Sequence, residues 1–175
     1  MTPHHSELNL FLDCSDTILL IMTLKSNAVT NNTTTQHIER LPALQHPLLN
    51  KFYRSHASRM RASPEAEVWV VRNPEIIAGL CLTAITEGYW LTGLLVAPEH
   101  RKHGVAQYLL QHTQQAHSNS PIWLFCHPDL IGFYQHTGFR ITEQLPEQLK
   151  NRLSRYQKHK NLVAMHRFVE PASTD

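Results

Sequence analysis

Apolar positions along the chain change their period several times, and each change marks an element. Residues 37–41 read as a short strand. Pro42 then opens a helical stretch in which Leu44, Leu48, Leu49, Phe52 and Tyr53 recur at helical spacing, before residues 55–63 turn polar. From Glu67 the character is β-rich. Val68, Trp69, Val70 and Val71 form one run, Asn73-Pro74 marks a turn, and residues 76–86 form a second run, which together read as a hairpin. Glu87-Gly88 punctuates the chain before a third strand, residues 89–97, closed by Pro98, which cannot donate to a central ladder. Three consecutive antiparallel strands are expected.

After a polar turn at residues 99–103, Ala106, Leu109, Leu110, Thr113 and His117 share one side of a helix that ends near Ser118-Asn119. Residues 122–126 form a short, almost continuously apolar strand. Pro128 pre-sets a further helix from about Asp129 to His136, and Gly138 stops it as a left-handed cap. From Glu67 on, a strand at 139–143 completes the order β-β-β-α-β-α-β, and a basic helical segment near 147–159 and a last strand at 162–169 follow. The crossover from 89–97 to 122–126 predicts a parallel, right-handed pair inside an otherwise antiparallel sheet. The expected class is therefore α/β (α+β), with six to seven strands flanked by helices.

Length fits this reading. The 175 residues suit one domain, placed at 36–170, with a tail at 171–175. Residues 1–35 read as a flexible or dispensable extension. Their apolar part is broken by Asp13 and Asp16 and lacks a basic leader, so it does not read as a signal peptide, and 17–22 is far shorter than the roughly 20 apolar residues of a membrane span. A polar Asn/Thr-rich linker follows at 26–36, and Met22 is a candidate start.

Charge excludes little but redirects attention. Lysine and arginine number 16 against 14 acids, a formal balance of +2, so bulk electrostatics give no reason to expect nucleic acid. Thirteen histidines would add positive charge in mild acid. Cys14, Cys81 and Cys126 are far apart and unpaired in spacing, which suggests neither a disulfide framework nor a zinc cluster and fits a reducing cytoplasm. Without His-Glu-x-x-His or Cys-x-x-Cys, no metal is expected.

Chemistry concentrates in one string, Leu94-Leu95-Val96-Ala97-Pro98-Glu99-His100-Arg101-Lys102-His103-Gly104-Val105-Ala106, which joins a strand directly to a helix. A helix N-terminus presents unpaired N–H groups and about half a positive charge, which suit a phosphate or diphosphate. Gly104 and Ala106 leave room for an anion to approach the backbone, and Arg101 and Lys102 add charge at the rim.

The spacing Arg-x-x-Gly-x-Ala, preceded by Val-x-Pro, resembles the acyl-CoA signature of the GNAT superfamily of N-acyltransferases, written Gln/Arg-x-x-Gly-x-Gly/Ala. Downstream, Phe133-Tyr134-Gln135-His136-Thr137-Gly138-Phe139 is similar to the superfamily's Tyr-x-x-x-Gly-Phe pattern. The resemblance extends over residues 36–169. It implies a central parallel pair that splays apart around the pantetheine arm of acetyl-CoA, and direct attack by an amine in a ternary complex. It further implies that Arg101, Lys102, His103, Gly104, Val105 and Ala106 hold the diphosphate. Leu94, Leu95 and Val96 would bind through main chain, and Tyr134 would hydrogen-bond the departing sulfur.

Two departures stand out. His127 occupies the place of an asparagine that contacts the cofactor in many relatives, so it reads as a substitute hydrogen-bond partner, as a base toward the amine, or as an exposed strand-end histidine. No acid lies within 89–97, where several relatives keep a glutamate, which leaves the general base unassigned and Glu87 as a stand-in. Trp69, Trp90 and Trp123 read as core or cleft wall, and Cys126 and His127, adjacent on a strand, should face opposite sides. The segment 145–161, with Lys150, Arg152, Arg155, Lys158 and Lys160, reads either as a solvated helix or as a lid over the acceptor mouth that favours carboxylates. The expected acceptor is a small-molecule amine, with no nucleic-acid or membrane partner and a monomer or homodimer as the working unit. A protein lysine or N-terminal amine as acceptor, and a non-catalytic acyl-CoA sensor, share the same motif.

Overall fold

β-branched and aromatic runs early in the chain pair in order. β1 (His37–Leu41), β2 (Glu67–Arg72), β3 (Ile76–Ile85) and β4 (Gly88–Val96) are successive antiparallel neighbours. β5 (Ile122–Cys126) runs parallel to β4, and β7 (Val163–Arg167) inserts between β5 and β6 (Arg140–Ile141), giving one sheet in the order β1-β2-β3-β4-β5-β7-β6. This computed structural model describes residues 36–167. The expectations for 1–35, Met22 and the 171–175 tail fall outside the described residues.

Strand alternation sends side chains to two differently covered faces. On one face Leu80, Leu82, Leu91, Ile122, Leu124 and Met165 meet α2 (Val105–Ala116), through Val105, Leu109 and Leu110, and α3 (Ile131–His136), through Tyr134. Each fully buried leucine there contributes roughly 1.5–3 kcal/mol. The opposite face is shared. α1 (His46–Ser55) covers Val68, Val70, Cys81 and Leu95 with Leu49, Phe52 and Tyr53, while α4 (Glu147–Gln157) covers Trp123, Phe125 and Ala164 with Leu149, Leu153 and Tyr156.

Several boundaries moved for local reasons. A 3-10 turn (Ala43–Gln45) precedes α1, and another (Pro128–Leu130) precedes α3, so both helices start later than their prolines suggest. Gly138, at φ 89°, ends α3 in the left-handed region as expected. Phe139 does not join the next strand, because its ring turns inward against Tyr134 and is almost fully buried. β6 then stops after Ile141, where the Thr142 hydroxyl accepts the Gln144 N–H at 3.0 Å and turns the chain.

Two irregularities open the sheet. β4 and β5 pair only at Tyr89↔Ile122 and Trp90↔Trp123, next to the 3.0 Å bond from the Tyr89 N–H to the Pro121 carbonyl. Farther along, β4 takes three steps from Thr92 to Leu95 where β3 takes two from Cys81 to Gly79, which is a bulge. Gly93 lies in it at φ 66°. Among the described residues no helix is long and apolar enough to cross a membrane.

Candidate active site

Where β4 and β5 part, a cleft of about 300 Å³ runs through the sheet. Residues 91–96 form one wall and Leu124, Phe125 and Cys126 the other. Beyond Trp90, among the described residues, the β5-facing backbone edge of β4 is not paired with β5. Such an edge offers amide and carbonyl groups to an extended ligand.

The start of α2 closes one end. Gly104 is its N-cap at φ 76°, with no side-chain cap, and the first intrahelical bond runs from the Tyr108 N–H to the Gly104 carbonyl at 2.9 Å. An added Cβ at Gly104 would find nothing within 4 Å, so the glycine answers to backbone conformation, and the space in front of it is open. Lys102 also adopts positive φ, at 64°. The Arg101 Nε–H turns back to donate to the Val96 carbonyl at 3.0 Å, bracing the end of β4. Partial burial lowers the Arg101 pKa, against the opposing charge of Glu99.

Tyr134 comes from α3. Its ring is buried, 5.0 Å from that of Phe133 and 5.8 Å from that of Phe139, and it lines the cleft. Of the expected site residues, Leu94, Leu95, Val96, Arg101, Lys102, Gly104, Val105, Ala106 and Tyr134 meet on this one cleft. His103 and His127 do not line it. His103 is exposed in the turn before Gly104. His127 caps the 3-10 turn that follows it, its Nδ1 accepting from the Asp129 N–H at 3.3 Å and lying 3.2 Å from the Asp129 carboxylate. An asparagine side chain caps in the same manner.

Other wall residues had no signal of their own. Ser58 and Met60 arrive from the segment after α1, Thr92 and Phe125 from strands, and His100 from the 3-10 turn after β4. Among the described residues the wall contains no aspartate or glutamate. Glu87 is exposed in the β3–β4 turn, at the end of β4 remote from the cleft, about 23 Å from Leu94 at the usual strand rise. Trp69 and Trp123 are buried in the core, and Trp90 lies under the Arg152 guanidinium. The Cys126 thiol points to the Met165 sulfur at 3.5 Å. Among the described residues no group of three metal-binding side chains occurs.

Residues 64–141 match a family model described as an acetyltransferase (GNAT) domain. The fold is similar to that of the ribosomal-protein-S18-alanine N-acetyltransferase from Escherichia coli (TM-score 0.59, 14% identity, covering 81% of this chain and 98% of that one). It is also similar to Escherichia coli ElaA (0.57, 16%, 77% and 100%). A third likeness is to N-acetylglutamate synthase from Neisseria gonorrhoeae, complexed with coenzyme A and N-acetyl-glutamate (0.55, 16%, 80% and 36%). At these identities the likeness is one of fold. A comparison with curated proteins gives no match.

Proposed function

The chain belongs to the GNAT superfamily, and on that premise we propose that it moves an acetyl group from acetyl-CoA to a primary amine of a small molecule. One observation carries this reading: an uncapped helix start stands beside a parallel strand pair that separates after two residues. The first suits a diphosphate and the second an extended pantetheine arm. We assign this activity to a unit spanning residues 36–170.

Acetyl-CoA supplies the activated acyl group, and the chain supplies position and charge. The N–H groups of Gly104 to Gln107 and the Lys102 ammonium hold the diphosphate, with Arg101 keeping the end of β4 in place. Main-chain groups of Leu94, Leu95 and Val96 align the arm and bring the thioester to the bulge. The amine enters from the other side of the sheet, past Ser58, Met60 and Thr92. As the new C–N bond forms and the C–S bond breaks, the electron pair leaves with sulfur, and the Tyr134 hydroxyl donates a hydrogen bond to it. The amine's proton passes to water or to His100, the one imidazole on the wall among the described residues.

A thermal-shift series with acetyl-CoA, ATP and NAD, followed by an amine panel with thiol-release detection, tests the reading, because only a ligand of the native state raises its stability. Stabilisation by acetyl-CoA and turnover of a small amine are expected. Stabilisation by ATP or NAD but not acetyl-CoA would overturn it. Acetyl-CoA binding with no transfer to any amine would mark a sensor, and labelling of a proteome extract in preference to small amines a protein acetyltransferase.

A further inference from the structure

The wall residues divide between the two faces of the sheet. Val105, Leu91, Leu124 and Tyr134 belong to the α2/α3 face, where the open helix start lies. Phe125 belongs to the α4 cluster, and Thr92 shares the strand parity of Trp90, which packs on that same cluster. An acyl donor anchored at α2 therefore leaves the α1/α4 side for the acceptor. On that side an aromatic row leads away from the cleft: Phe125 lies 6.0 Å from Trp90 and 6.2 Å from Tyr156, ring centre to ring centre. The Arg152 guanidinium stacks over Trp90 at 4.1 Å. Arg152 and Tyr156 stand one helical turn apart on α4, so both project toward this row.

Arg152 is held but not neutralised. It is half-buried, and among the described residues no carboxylate pairs with it, while the one acid in the first turn of its helix, Glu147, lies 3.9 Å from Lys150. Stacking fixes the plane of a guanidinium and leaves its edge N–H groups pointing outward, the fork that matches a carboxylate. The other basic residues of 145–161 reinforce the sign.

We propose that Arg152, fixed over Trp90 beside the cleft, is a specificity-determining residue that selects small primary amines carrying a carboxylate. This rests on the acyltransferase reading of the cleft. Arg152 does not touch the reacting atoms; it holds the far end of the acceptor while the amine reaches past Phe125 and Thr92. A charge-assisted pair of this kind discriminates by tenfold or more against a neutral isostere.

The test uses the full chain, acetyl-CoA and matched acceptor pairs: glycine with glycinamide, β-alanine with β-alaninamide, glutamate with glutamine. In the native chain at least one acid should exceed its amide at least tenfold in kcat/KM. Arg152→Gln should bring that ratio to within about threefold of one, and Arg152→Lys should restore part of it, because charge survives while the planar fork does not. Equal use of acid and amide by the native chain, or an acid preference untouched by Arg152→Gln, would overturn the proposal. So would a parallel fall for acid and amide, which marks a merely structural role. If none of these amines is acetylated, binding of N-acetyl amino acids against their amides in the presence of coenzyme A decides by the same ratio. Thermal stabilisation by acetyl-CoA, measured on native and variant chains alike, reports separately on the acyltransferase reading, which fails if that stabilisation is absent.

Discussion

The Tyr53 hydroxyl donates to the Gly93 carbonyl at 2.6 Å, which ties α1 to the bulge that shapes the cleft wall. A Cβ at Gly93 would stand 2.5 Å from that hydroxyl and 3.2 Å from the Met60 methyl. Tyr53→Phe removes only the hydroxyl and leaves a part-buried carbonyl short of its partner. It should cost about 1–2 kcal/mol in urea unfolding and lower kcat/KM as residues 92–95 loosen. Gly93→Ala should cost more, because it adds positive-φ strain to the clash. Equal stability of Tyr53→Phe and the native chain would break the link between this bond and the bulge.

Gly104 makes a different demand. Nothing lies within 4 Å of its missing Cβ, so Gly104→Ala should be penalised through φ alone, by about 1 kcal/mol, and should weaken acetyl-CoA binding as the helix start shifts. Asparagine tolerates left-handed backbone better than alanine does. Gly104→Asn should therefore hold acetyl-CoA more tightly than Gly104→Ala in titration calorimetry. The reverse order would mean that room at this position, not conformation, governs binding.

These two glycines also show what the sequence could reveal. Gly104 stood in a strand-to-helix string whose spacing was legible, and the crossover from β4 to β5 was legible as a parallel strand-helix-strand unit, although β1 and β2, also joined through a helix, pair antiparallel. The succession of elements followed from apolar period together with the punctuation of Pro42, Asn73-Pro74, Gly88, Pro128 and Gly138. Gly93 was not legible, since a bulge depends on register against β3, which one strand does not encode. Ser58 and Met60 reach the cleft only because α1 packs across the sheet, and Arg152 meets Trp90 only because α4 docks beside β5. Phe139 read as strand from its neighbours, yet the cavity beside Tyr134 claimed its ring. Contacts distant in sequence carry no local period, and much of the cleft wall on the α1/α4 side is made of them.

Burial pushes the Cys81 thiol up to about 11 from an ordinary 9.0, outweighing its bond to Tyr53. The folded state thus favours the protonated thiol. Its contribution to stability is full below about pH 9 and is lost as the pH rises from there toward 11, because the unfolded chain releases this proton first. The loss should approach 3 kcal/mol at 1.36 kcal/mol per pH unit. Other groups titrate in the same range, so the informative quantity is the native chain minus Cys81→Ala, by urea unfolding at pH 8 and pH 10. The difference should shrink at the higher pH; a constant difference would mean that Cys81 ionises without cost.

Tyr134→Phe separates packing from chemistry, because phenylalanine keeps the ring against Phe133 and Phe139 and removes only the hydroxyl. A hydrogen bond to a developing thiolate exists in the transition state and scarcely in the ground state, so its loss belongs in kcat. The expected fall is about 10- to 100-fold, with KM for acetyl-CoA within about twofold of native. An acyl donor whose thiol is more acidic needs less help in leaving, and with such a donor the defect should narrow. Unchanged turnover would remove Tyr134 from the reaction. A rise in KM at constant kcat would make it a residue that positions the cofactor. A defect that stays the same size for good and poor leaving groups would move its hydroxyl away from sulfur and toward some earlier step.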